Sequence, residues 1–131
     1  MIRKYISLAI LLVTFTACEI DQDPTNARTD FLGQWLCSEV EGDFAPQNYA
    51  ILVDPVGSES LVDIKGLYNL GPTFVVRAEV QGSGIYITTQ TSNGITIAGT
   101  GSINSNLDEV TLNFTADDGS GADNVKAIWT R

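Results

Sequence analysis

Histidine is absent from the 131 residues, methionine occurs once, and cysteine and tryptophan occur twice each. Basic residues number seven against sixteen acidic ones. Each shortage closes off some chemistry. Without histidine there is no Ser-His or Cys-His nucleophile, no imidazole metal ligand, and no side chain that ordinarily titrates near neutral pH. A formal charge of −9 argues against nucleic acid and anionic headgroups as partners, since both are repelled by such a surface. No apolar run reaches the roughly twenty residues that a helix needs to cross a bilayer. Two cysteines are too few for a disulfide framework.

What is present begins with a short cationic segment, "MIRKY", followed by the apolar "ISLAILLVTF". That run matches the ~7–15 residues of a signal-peptide h-region. Small residues Thr16 and Ala17 come next, then Cys18. "FTAC" resembles the lipobox of bacterial lipoproteins, in which the cysteine is acylated, by palmitate among others, and becomes the first mature residue. The resemblance implies that residues 1–17 are a signal peptide that is removed and that Cys18 is lipidated. Two or more acyl chains hold a protein stably to a bilayer. The acidic stretch "EIDQDP" resembles the export signals that follow the lipidated cysteine in surface lipoproteins of some didermal bacteria. Residues 18–29 therefore read as a lipidated tether and residues 30–131 as the folded domain. The location implied is the outer membrane, at its periplasmic face or at the cell surface. Removing Arg3 and Lys4 with the leader leaves five basic against sixteen acidic residues, a mature charge of −11. With Cys18 acylated, Cys37 has no intramolecular partner and is expected to be a buried, inert thiol.

The 102 residues from Asp30 to Arg131 suffice for one hydrophobic core. Their dominant signal is period-two alternation. In "FVVRAEV", Phe74, Val76, Ala78 and Val80 share one face. In "VTLNFTA", Val110, Leu112, Phe114 and Ala116 do the same, and Ile85/Ile87 and Ile95/Ile97 continue the pattern. Turn residues divide these runs, with Asn93-Gly94 the strongest hairpin signal. Eight strands are expected, near 33–41, 48–54, 60–68, 73–81, 84–91, 94–102, 109–116 and 125–131. Every connection is short, so neighbours are antiparallel and the chain reads as an all-β, up-and-down meander. Closure removes the two exposed edges of such a meander, which favours a small barrel or a strongly curled half-barrel.

"TDFLGQW" precedes the first strand. Its Gly33 and Trp35 resemble the G-x-W opening of lipocalin-like (calycin) barrels, in which a short helical turn leads into the first strand. The resemblance implies that Gly33 and Trp35 are structural anchors, the tryptophan closing the barrel base against an arginine near the last strand. Arg131 is the candidate for that arginine, and Trp129 is an alternative packing partner. The layout "IKGLYNLG", "GIYITTQ", "IAGTGSI" and "KAIWTR" is similar to small lipocalin-like lipoproteins of unknown function, which implies fold and anchor and carries over no activity.

No cofactor or metal motif is present, and no catalytic set is expected. Asp117, Asp118 and Asp123 lack the alternating acids and distal glutamate of a calcium loop and read as a solvated hairpin. Asp108/Glu109 and Glu39/Glu41 read as surface charge. Tyr49, Tyr68, Phe74, Tyr86, Phe114 and Trp129 are candidates to line a cavity or to fill the core, for eight strands enclose room for side chains or one small ligand. Two functions follow: a non-catalytic module that contacts a protein or a glycan through its outer face or loops, or a lipocalin-like carrier of a small apolar ligand. The hydroxyl- and amide-rich outer positions, Thr111, Asn113, Thr115 and the "TTQT" run, favour the first.

Overall fold

The computed structural model describes residues 24–57 and 60–131. Cys18 lies outside them. β4 (Gly71–Gln81) shows how the sequence makes its sheet: Phe74, Val76, Ala78 and Val80 are buried, while Thr73 and Arg77 are exposed. The same alternation shapes β1 (Gly33–Glu41), β2 (Gln47–Pro55), β3 (Leu61–Gly66), β6 (Ile95–Ile103), β7 (Glu109–Asp117) and β8 (Ala122–Thr130), and β5 (Gly84–Ser92) as far as Ile87, beyond which its register shifts. Each strand pairs antiparallel with the next, and β8 returns to β1, so the meander is a closed barrel. The closing seam runs from Leu36 opposite Thr130 to Glu39 opposite Ala127. Asn93 and Gly94, both at positive φ, form the two-residue link between Ser92 and Ile95.

Most strand ends lie within a residue or two of the sequence reading, and three differences have a structural cause. β3 ends at Gly66 rather than near 68, because Gly66 (φ +97°) starts a 3-10 turn over Leu67–Asn69 in which Tyr68 is also left-handed. β8 begins at Ala122 rather than 125, since Asp123 pairs opposite Ala116 instead of sitting in the loop. Residues 24–29, assigned to the tether, form a short helix, α1 (Pro24–Thr29). Arg28 ties α1 to the β2–β3 connection through the carbonyls of Val56 and Leu61.

Side chains fill the barrel. A space large enough for solvent inside it would leave exposed area on the residues lining it. Val62, Ile64, Val76, Ile85, Ile97, Leu112 and Trp129 show none. The base is closed by Trp35, whose indole N–H donates to the Phe31 carbonyl at 2.8 Å. Its ring lies tilted against Trp129, with centroids 6.1 Å apart. The Arg131 guanidinium covers Trp35 at 3.9 Å from the ring centroid. It also donates to the carbonyls of Asp30, Leu32 and Leu107. Arg131 and Trp129 thus both pack on Trp35. Gly33, at φ +108°, takes a turn into β1 that a side chain would strain.

Candidate functional site

The end of the barrel opposite Trp35 is its mouth, and two carboxylates point into it. Glu39 and Asp123 are 2% and 5% exposed, which corrects the reading of both as solvated charge. Alternation carries them inward, after Trp35 and Cys37 on β1 and before Val125 and Ala127 on β8. Each is held by hydrogen bonds. Gln47 donates to Glu39. The Tyr68 hydroxyl donates to Asp123 at 2.6 Å, and the Asp43 amide at 2.9 Å. Tyr68 also gives its backbone N–H to the Tyr49 hydroxyl, and its ring is edge-on between Phe44 outside and Phe114 inside. Tyr68 is therefore a half-buried plug across the mouth. Burial pushes the Glu39 carboxyl above the ordinary range; hydrogen bonds from Gln47 and Tyr49 oppose this, and the nearby Asp123 adds to it. Burial likewise raises the Cys37 thiol to about 12, so this fully buried residue stays protonated and unreactive.

A carboxyl whose folded-state pKa lies above its unfolded value binds a proton that the unfolded chain has already lost. Stability then falls as pH rises through the window between the two values. Glu39→Gln keeps the acceptor for Gln47 and removes the titration. The variant is expected to gain on the parent near pH 7 and to lose that advantage near pH 4.5, close to the ordinary glutamate value of about 4.3. Denaturation midpoints at both pH values measure this; a parent–variant difference that does not change with pH refutes it.

The other aromatic candidates separate cleanly. Phe74, Phe114 and Trp129 are buried in the core, and Tyr49 is nearly so, at 8% exposed. Tyr86 lies on the outside, 43% exposed, which corrects its place among the cavity residues. Its ring lies down along β5 over Gly84, where a Cβ would meet the Tyr86 hydroxyl oxygen at 2.7 Å. Asp108 and Glu109 are exposed. Asp117 and Asp118 spend their oxygens on the amides of their own loop, while Asp123 turns inward, so the three do not converge.

The outer face of β6, β7 and β8 carries a groove of about 450 Å³. Its floor is the backbone of Gly99, Phe114 and Val125, which lie side by side in the register. One wall is Ala98, Thr115 and Asn124; the other is Thr100, Asn113 and Lys126. Glu41 closes one end opposite Lys126. A β-bulge at Val40 sets this position: the register shifts between Glu39 and Glu41, so Glu39 faces in and Glu41 faces out. None of the polar side chains of the groove makes a hydrogen bond or ion pair with another of the described residues. On the outer surface away from the groove many such groups are paired, Arg77 with Asp63, Lys65 with Asp54, Thr91 with Thr96, and Gln90 with the Arg77 backbone, while single ones such as Thr111 stand alone among the described residues. The groove keeps its donors and acceptors free.

Comparison with protein-family models and with curated proteins found no match. Among solved structures the barrel is similar to a redesigned β-barrel, b11L5F_LGL, at 14% identity and a TM-score of 0.55, covering 80% of this chain and 94% of that one. The likeness is one of fold. It supports the eight-stranded closed barrel and leaves the chemistry to this chain's own residues.

Sequence reasoning named Asn113 and Thr115 as outer polar positions and missed the rest of the groove. Thr100 and Asn124 carry the same alternating signal in "IAGTGSI" and "ADNVKAIW". Glu41 could not be found that way, because the bulge at Val40 breaks the period.

Proposed function

We propose that this chain is a non-catalytic binding module, lipid-anchored at the outer membrane through Cys18, that engages a protein or glycan through the outer groove of β6–β8. The observation that carries this reading is the contrast between a packed interior and an open groove of unpaired polar groups. A carrier of an apolar ligand has to keep a cavity, typically several hundred Å³ lined by apolar side chains. Here Phe74, Leu112, Phe114, Trp35 and Trp129 occupy that space.

The placement of α1 supports the anchor's geometry. Cys18 is six residues before Pro24, a reach of at most about 22 Å. α1 sits at the base of the barrel, while the groove runs from mid-height towards the mouth. A barrel tethered by its base holds the groove clear of the bilayer. Cys18→Ser is expected to shift the protein from the membrane to the soluble fraction. Titration with an apolar fluorescent probe is expected to show no saturable site. Saturable binding of the probe, quenched by Trp129 in the core, would replace the module with the carrier.

A further inference from the structure

The groove can be assigned a ligand class from its chemistry, on the reading that it is the binding surface. We infer that it binds an uncharged glycan chain laid across the strands, with one sugar ring stacked on Tyr86.

Four of its side chains, Thr100, Asn113, Thr115 and Asn124, are hydroxyls or carboxamides. Each offers both a donor and an acceptor. Vicinal sugar hydroxyls also donate and accept, so the two sets are complementary without any charge. Glu41 and Lys126 stand opposite each other at one end and cancel. The groove is therefore close to neutral within a chain of net charge −9, which leaves an anionic polymer nothing to gain and much repulsion to overcome.

A protein partner fits less well. Peptides that add a strand need a free sheet edge, and this barrel is closed. Protein interfaces centre on exposed aromatic and apolar anchors that become buried; of the apolar residues along the groove, Ile87, Phe114 and Val125 are each only 3% exposed, which leaves Ala98.

Tyr86 supplies what a glycan site needs besides hydrogen bonds. It lies directly opposite Thr100 in the register, beyond the groove's other end. Because its ring rests over Gly84, one face is turned to solvent, available to the C–H face of a sugar. The row Tyr86, Thr100, Asn113, Lys126 and Glu41 crosses five strands. At about 4.8 Å between strands it is roughly 19 Å long, enough for several sugar units. An extended chain fits this row better than a single sugar does.

Affinity electrophoresis of the full chain in detergent tests the assignment. The gels contain a soluble β-glucan, a mannan, a galactan or a xylan, with alginate as the anionic polymer. At least one neutral polysaccharide is expected to retard the protein, and alginate is not. Tyr86→Ala and Asn113→Ala are each expected to weaken retardation about tenfold, as loss of one stacking contact or one hydrogen-bonding group does. Thr91→Ala, whose hydroxyl is already paired with Thr96, leaves it unchanged. Denaturation midpoints confirm that the surface variants are folded. Retardation by alginate alone, or by none of the five, overturns the neutral-glycan assignment and leaves the groove open to a protein. Retardation by a neutral polysaccharide that survives both Tyr86→Ala and Asn113→Ala overturns the groove itself as the site.

Discussion

Trp35→Ala is expected to lower stability by about 3–5 kcal/mol, the usual cost of deleting a buried large aromatic side chain. Three separate supports are lost together. The ring is 1% exposed, so its removal leaves a cavity at the base. Its N–H satisfies the Phe31 carbonyl, which holds the turn between α1 and β1. Its face carries the Arg131 guanidinium, which bonds backbone carbonyls on both sides of the base. A domain of this size is held by only about 5–15 kcal/mol, so the variant should unfold at much lower denaturant concentration. Trp35→Phe keeps the packing and the cation contact but loses the N–H, and should fall between the two. An alanine variant with an unchanged midpoint would show that the base is not closed by this residue.

The strands were legible in the sequence because each buries one face. Phe74-Val76-Ala78-Val80 and Val110-Leu112-Phe114-Ala116 state their orientation in their own order, and closure followed from the exposed edges that a meander would otherwise keep. What escaped depends on partners distant in the chain. Glu39 and Asp123 lie on inward positions by simple alternation, yet their charge reads as surface until Gln47 and Tyr68 arrive from other strands to satisfy them. Tyr68 itself sits in a segment with strand-like composition, and only the left-handed turn begun at Gly66 takes it across the mouth. α1 had a local signal: Pro24 at the first helical position is well placed there because its missing N–H would go unbonded anyway. The groove was half legible. Its Thr and Asn walls follow from alternation, whereas its length and its Glu41 end come from register and a bulge, which only the assembled sheet specifies.

Gly99→Ala is expected to cost about 1–3 kcal/mol, the range for forcing extra volume into a packed core, and to weaken the groove as well. Glycine in a strand ordinarily costs about 0.5–1 kcal/mol relative to alanine, so on propensity alone the substitution should help. Packing decides otherwise. Gly99 faces inward between Ile97 and Gly101 on β6, and an added Cβ would lie 2.6 Å from both the Asn113 carbonyl oxygen and the Phe114 Cβ. Neither can rotate away, since one is backbone and the other is fixed to it. The strands would have to separate where β6 meets β7. Gly101 faces the same obstruction, 2.6 Å from the Thr111 carbonyl oxygen, so the two glycines of "IAGTGSI" together let β6 press close to β7. That close approach also shapes the outside, for the backbone of Gly99 and Phe114 is the groove floor. Gly99→Ala should therefore lower the denaturation midpoint and weaken binding at Thr100 and Asn113 without touching either side chain. A variant as stable as the parent would mean that the neighbouring strand yields easily, and the groove's shape would then not be set by this contact.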